Sequence, residues 1–176
     1  MMIHLTAKDY VRQPWKNGRG TTVELLHLRD PAGATLLRLS RASVVEDGPF
    51  SLFPGIERNL TVLSGPGFRL TGPGIDLGCK PLVPVAFPGD VPVTASETGG
   101  GPSDDFNVMT ARSLPPPQVT VVPEGGLGAG GKLALYALGP CRVNGEGMES
   151  GDLILTEGPA DVTGAGPVIA VRYFGV

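Results

Sequence analysis

The stretch RLSRASVVEDGPFSLFPGIERNLTVLSGPGFRL, residues 38–70, decides the fold. The apolar run that leads into it from Leu36 reaches Val45, then breaks at Gly48-Pro49 and again at Phe53-Pro54-Gly55. It resumes over residues 59–63 and turns at Ser64-Gly65-Pro66-Gly67 into residues 68–70. Short runs rich in β-branched and aromatic residues, punctuated this often by Gly and Pro, read as antiparallel strands. Two charged features interrupt the apolar pattern: the pair Glu57-Arg58 between an aromatic turn and a strand, and Arg41 inside an apolar run. A guanidinium at the mouth of a small β-barrel is a planar donor fork suited to holding an anion. Arg58 and Arg41 are therefore candidate ligand-binding residues.

The same punctuation extends along the chain. Gly and Pro number 27 and 18 among 176 residues, which would favour disorder were 41% of the residues not hydrophobic and the net charge only −3. Many tight turns between short strands account for both facts, and the expectation is an all-β barrel or sandwich. Strand patterns fall at residues 21–29, 104–112, 118–122, 132–138, 141–143, 152–156 and 167–173, and no convincing amphipathic helix is present. Pro84 demotes the run 82–87 to an edge strand or two short pieces. The triplet Pro115-Pro116-Pro117 is a stiff spacer, and the charge balance shifts near it: 11 basic and 11 acidic side chains precede Ser113, 3 and 6 follow it. The expected organisation is a main barrel over residues 1–113 and a smaller β unit over 114–176 that shares a core with it.

Composition excludes several function classes. No basic run exists, so a nucleic-acid partner lacks its electrostatic footprint. The N-terminus MMIHLTAKDY has no apolar signal core and no apolar stretch approaches 18 residues, so no membrane partner is expected and the protein reads as soluble and cytoplasmic. Cys79 and Cys141 form no CxxC pattern and read as reduced, mostly buried thiols. His4 and His27 fall on different strands with no third histidine, and neither HxH nor HExxH occurs, so no metal and no other cofactor is expected. A GxSxG elbow is absent, and the adjacent carboxylates Glu46-Asp47 and Asp104-Asp105 point to opposite faces of any strand they occupy. A barrel holding an acid and an arginine still has the groups for a modest metal-independent isomerisation or hydrolysis.

Two further places attract attention. Trp15, Lys16, Asn17 and Arg19 crowd one loop, where Trp15 serves either as a lid on a barrel end or as the aromatic wall of a ligand pocket with Asn17 as amide donor. In DDFNVM, residues 104–109, Asp105 and Asn107 share one face and Phe106 and Val108 the other. The polar pair is either a lining position or the cap and turn of a strand start. Arg58, likewise, either anchors a ligand with Trp15, Asn17 and Asn107 or pairs internally with Asp105, Asp47 or Glu57.

Four segments carry a resemblance in matching order and spacing: WKNGRGTTVEL at residues 15–25, LRLSRASVVEDGPFSLFPGIERNLTVLSG at 37–65, FPGD at 87–90 and DDFNVM at 104–109. Together they resemble the HutD/Ves family, over the first two-thirds of the chain closely and the rest loosely. The resemblance implies a cupin-like (RmlC-like jelly roll) double-stranded β-helix barrel in a bicupin arrangement, without metal-binding histidines. It also implies a small-molecule binding protein of amino-acid catabolism, sensing a carboxylate intermediate of histidine degradation such as urocanate or formylglutamate. A homodimer is admitted by this reading. A metal-independent cupin-type enzyme and an interaction protein with a vestigial pocket are its rivals. The family pattern marks Trp15, Asn17, Arg58, Asp105 and Asn107. The chain departs from that pattern at Glu57, where Asp is usual, at Leu37, where an aromatic is common, and at Arg41, where a small apolar residue is frequent. The scarcity of imidazole and thiolate ligands leads to one measurement: elemental analysis of protein purified without chelator should find no stoichiometric zinc, iron, nickel or manganese.

Overall fold

The turns are where the sequence commits itself first. Asp30 accepts the Ala34 amide hydrogen at its Oδ1 (2.8 Å) while Gly33 supplies a φ of +88°, and this closes the hairpin between the two long strands on either side. Asn144 and Gly145 both adopt positive φ (+49° and +84°), the backbone that a two-residue hairpin turn requires. The computed structural model describes residues 1–176, and every regular element in it is a strand. No helix is long and apolar enough to cross a membrane.

In chain order the strands are β1 (Met2–Leu5), β2 (Val11–Pro14), β3 (Thr21–Arg29), β4 (Thr35–Val44), β5 (Gly48–Pro49), β6 (Ile56–Ser64), β7 (Phe68–Gly72), β8 (Ile75–Cys79), β9 (Val85–Pro88), β10 (Thr94–Ser96) and β11 (Ser103–Ala111). They continue as β12 (Gln118–Val122), β13 (Gly125–Leu127), β14 (Lys132–Ala137), β15 (Cys141–Val143), β16 (Glu146–Met148), β17 (Leu153–Glu157), β18 (Ala160–Thr163) and β19 (Val168–Tyr173). The chain divides into two compact units, one of residues Val11–Leu114 and one of Met1–Tyr10 with Pro115–Val176.

The unit of Val11–Leu114 contains a six-stranded sheet in the order β2-β3-β4-β11-β6-β9 and a four-stranded sheet in the order β5-β10-β7-β8. Pairing is antiparallel throughout both sheets. A core of Leu60, Val62, Phe68, Leu70, Cys79, Phe87, Val93 and Ala95 draws on both. On β11, past a register shift against β6 at Asp104/Asp105, Asp105 and Asn107 lie opposite Ala42 and Ser40 of β4 on one side and Val62 and Leu60 of β6 on the other. One face of three adjacent strands thus runs continuously from an apolar core to a polar patch.

The other unit pairs β1-β17-β14-β19-β12 in one sheet and β13-β18-β15-β16 in a second, around Leu133, Leu135, Val143, Ile154, Val162 and Val168. Its first strand is the organisational surprise. β1, grouped from the sequence with residues 1–113, runs antiparallel to β17, with Met2 opposite Thr156 and Leu5 opposite Leu153. His4 holds it there through Nε2 to Asp152 Oδ2 (2.9 Å) and Nδ1 to Glu146 Oε1 (3.3 Å). The other boundary, at Leu114–Pro115, coincides with the proline triplet. Cys79 and Cys141 are buried, unbonded thiols, one in each unit's core.

The turn between β6 and β7 stores a backbone requirement that only glycine meets. Gly67 has a φ of +82°, and a Cβ there would stand 2.2 Å from the Cys79 carbonyl oxygen. Its N–H donates to Ser103 Oγ (2.9 Å), tying the turn to the start of β11. Gly67→Ala should lower the urea midpoint without changing the m-value, a loss of roughly 2–4 kcal/mol from strain and displaced backbone.

Candidate functional site

The polar patch on β4, β11 and β6 opens into a cavity of about 460 Å³, within the range of small-molecule sites. Arg58 of β6 is its centre, with 7% of its surface exposed. The Arg58 guanidinium carbon sits 5.2 Å from the ring centroids of Phe50 and Phe53 and 5.1 Å from that of Phe87. At these distances each ring face attracts the cation and supplies apolar packing to its stem.

Sequence motifs that looked like punctuation prove to be the frame of this arrangement. In FPGD, Phe87 provides one of the three rings, and the Gly89 N–H donates to the Ile56 carbonyl (2.7 Å) while the Gly89 carbonyl accepts from Phe53 (2.8 Å). A Cβ on Gly89 would meet the Ile56 oxygen at 2.7 Å, so glycine is what lets the turn carrying Phe53 close against the start of β6. Asp90 then accepts both Nη groups of Arg112 (2.8 and 2.9 Å), and Arg112 Nε donates to Glu57 (2.6 Å). That clamp fixes the base of β6 immediately before Arg58. On the opposite rim the Trp15 ring lies on Gly20, and its Nε1 donates to Thr22 Oγ1 (2.9 Å). Asn17 caps its own loop by accepting the Arg19 amide hydrogen at Oδ1 (2.9 Å), which leaves its amide hydrogens for other partners.

Arg58 makes one protein hydrogen bond, from Nη2 to Asn107 Oδ1 (3.0 Å), and its buried Nε has no partner. Asn107 Nδ2 in turn donates to Asp105 Oδ1 (2.6 Å). The result is a cation, a neutral amide and a carboxyl in series, with Asn107 and Asp105 buried as deeply as the arginine. Burial, only partly countered by Asp105, lowers the Arg58 pKa to about 10. Burial also pushes the Asp105 carboxyl up to about 7, against the opposing pulls of the Asn107 hydrogen bond and the Arg58 charge. The other acids considered as internal partners of Arg58 are engaged elsewhere: Glu57 with Arg112, and Asp47 with the Thr98 hydroxyl (2.6 Å) and amide.

Trp15, Asn17, Arg58, Asp105 and Asn107 all line this one cavity. Arg41 does not. Alternation along β4 sends it to the face opposite Ser40 and Ala42, with its backbone across from Val23 and Phe106. The charged lining residue on that strand is Arg38, three positions earlier, whose Nε donates to Glu24 Oε2 (2.8 Å). Arg38 escaped notice because it alternates with Leu37 and Leu39 and so reads as an ordinary solvent-facing charge. Its register beside Met109, in line with Asn107 and Asp105, was the available signal. No three His, Cys, Asp or Glu side chains gather as metal ligands, and a donor set of guanidinium, amide and one carboxyl does not fit a transition metal.

A model of the HutD family matches residues 7–165. HutD from Pseudomonas fluorescens SBW25, solved in a formate condition, superposes with a TM-score of 0.84 at 31% identity, covering 99% of this chain and 100% of that one. The chain belongs to the HutD family. A Pseudomonas putida relative, an uncharacterized 21.2 kDa protein in the hutC 3′ region, is 43% identical over 114 residues. That match covers 61% of this chain and 57% of the relative, so the chain spans little more than half the length of that relative. The bacterial pirin YhhW from Escherichia coli, in complex with nickel(II), has a TM-score of 0.71 at 9% identity over the whole of both chains and shares the fold alone. The HutD fold is thus all-β and cupin-like.

The Asp105 shift has a sign that can be measured. A carboxyl whose native pKa is raised binds its proton more tightly folded than unfolded between about pH 4 and about pH 7. Its contribution to stability is therefore full below that window, declines as pH rises through it and stays low above. The stability difference between wild type and Asp105→Asn should follow this course, with a swing on the order of a few kcal/mol, read from urea melts at half-unit pH steps.

Proposed function

We propose that this HutD-family chain is a cytoplasmic bicupin that binds a small carboxylate without a metal and senses an intermediate of histidine breakdown, modulating the pathway. The observation that carries the reading is Arg58: a guanidinium taken out of water beside a cavity, held by three phenylalanine rings, with a single protein hydrogen bond and an unpartnered Nε. A carboxylate in the cavity supplies the missing acceptors and the countercharge. Lys16 and the Asn17 amide, which also line the cavity, favour the same sign of ligand, and Trp15 offers a flat apolar wall. The hutC-adjacent position of the Pseudomonas putida relative supports histidine catabolism as the pathway, with urocanate and formylglutamate as candidate ligands. A second reading is a metal-independent isomerase or hydrolase: Asp105 is a buried carboxyl lining the cavity, pushed by burial up to about 7, the range that suits a general acid-base group. Turnover of a bound ligand that is lost in Asp105→Asn would establish it.

The test is a pair of measurements on wild type and Arg58→Ala. Calorimetric titration with urocanate, formylglutamate and glutamate should show binding by wild type and a loss of about 2–5 kcal/mol in the variant, as for truncation of one partner of a buried charged pair. Urea melts should show little change in stability. Unchanged affinity together with a large loss of stability would make Arg58 scaffold.

A further inference from the structure

Of the two arginines that line the cavity, one is joined directly to an acid and the other is separated from its acid. Arg38, from β4, is joined directly to Glu24 at 2.8 Å. Arg58, from β6, reaches its acid only through the Asn107 amide, whose hydrogen Asp105 Oδ1 accepts, while the Ala42 backbone amide also donates to the Asp105 carboxyl. Asp105 is 2% exposed, so its charge, when present, is not screened by solvent.

Resting on the carboxylate reading above, we propose that Asp105 is the proton-linked group of this site: the cavity takes up a carboxylate anion at Arg58 together with one proton on Asp105, so that affinity falls as the pH is raised. The reason is the buried charge count. With Asp105 ionised, Arg58 and Asp105 are already neutral together, and an arriving carboxylate leaves an uncompensated negative charge beside a second carboxylate in a site of low dielectric. With Asp105 protonated, Arg58 and the ligand form the neutral pair and the acid no longer repels the incoming carboxylate. No bond other than the O–H bond is made or broken, and the proton comes from solvent.

The groups facing Asp105 agree with this assignment. Burial pushes its titration up and outweighs the Asn107 hydrogen bond and the Arg58 charge on β6 that pull it down; Asp104 on its own strand adds to the rise and the Ala42 amide of β4 to the fall. Cys79, at the end of β8, is held protonated by burial with a pKa of about 12 and contributes no charge. Arg38 on β4 is offset by Glu24, and Lys16 is an exposed residue on the rim. Asp105 is thus the group in the cavity placed to change charge near neutral pH.

Formylglutamate is the probe, because its carboxylates stay ionised across the range. Wild-type dissociation constants from pH 6 to 9 should hold steady up to about pH 7 and then rise about tenfold per pH unit. Calorimetry at pH 8 in two buffers of different ionisation enthalpy should show uptake of nearly one proton per ligand bound. In Asp105→Asn the uptake should vanish and the affinity become flat with pH. Should that variant fail to fold, carboxyl ¹³C NMR of aspartate-labelled wild type serves in its place, with one aspartate carbon titrating near neutrality and shifting on ligand addition. Equal affinity at pH 6 and pH 9 without proton uptake overturns the proton coupling and leaves the carboxylate site standing. No binding at pH 6 overturns both. Uptake that persists in Asp105→Asn places the proton elsewhere and overturns the assignment.

Discussion

Taking the Arg58 guanidinium out of water is the constraint on which the unit of Val11–Leu114 depends. The penalty for burying such an ion is several kcal/mol even after relaxation, and one charge-assisted hydrogen bond returns about 1.5–3. The remainder has to come from the surroundings, and the surroundings are built accordingly. Phe50 and Phe53 from the connection before β6 and Phe87 from β9 surround the guanidinium at nearly equal distances. Each ring is fixed by backbone: Phe50 N–H to the Val93 carbonyl, Phe53 N–H to the Gly89 carbonyl, and Phe87 by its place in β9 opposite Arg58 itself. The Arg112–Asp90–Glu57 clamp then holds the entry of β6 in place. Turns that look interchangeable in sequence are in this sense parts of one arginine pocket.

Period-two alternation carried most of what could be read beforehand. It placed Asp105 and Asn107 on one face, and the register of β11 against β4 and β6 turns that face into the cavity lining. The same rule, applied to β4, would have excluded Arg41 and promoted Arg38. A charge inside an apolar run attracts attention for its rarity, while a charge that obeys the alternation does not. What no local pattern could disclose is the pairing of β1 with β17, because strand partners some 150 residues apart are chosen by tertiary packing rather than by neighbouring residues. The two-residue β5 was also beyond reach, since so short a strand has no period to detect.

A shared fold tells little about chemistry when the side chains differ. The nickel-bound pirin and this chain have the same overall cupin-like architecture at 9% identity, yet the cavity here presents arginine, amide and carboxyl. What these groups have in common is charge and hydrogen-bonding capacity rather than the lone pairs of a transition-metal ligand set. A metal site needs several neutral imidazoles or thiolates turned inward; His4 and His27 are instead spent on holding strands, the first through Asp152 and Glu146 and the second through Glu24 and Thr35.

The choice of asparagine at position 107 follows from the same electrostatics. An acid there would sit within bonding distance of Arg58 and form a closed ion pair, satisfying the guanidinium internally and leaving a ligand nothing to add. A serine or alanine would leave both Arg58 and Asp105 without the partner that now orients them, at the full cost of two buried unsatisfied groups. The amide does neither: its oxygen faces the donor, its nitrogen faces the acceptor, and it adds no charge of its own. Its two ends also define its orientation, because flipping the amide would set N–H against N–H at Arg58 and oxygen against oxygen at Asp105. Asn107 thus keeps the cation and the acid close enough to influence one another while preventing a direct ion pair between them, so that the guanidinium keeps an unpartnered Nε.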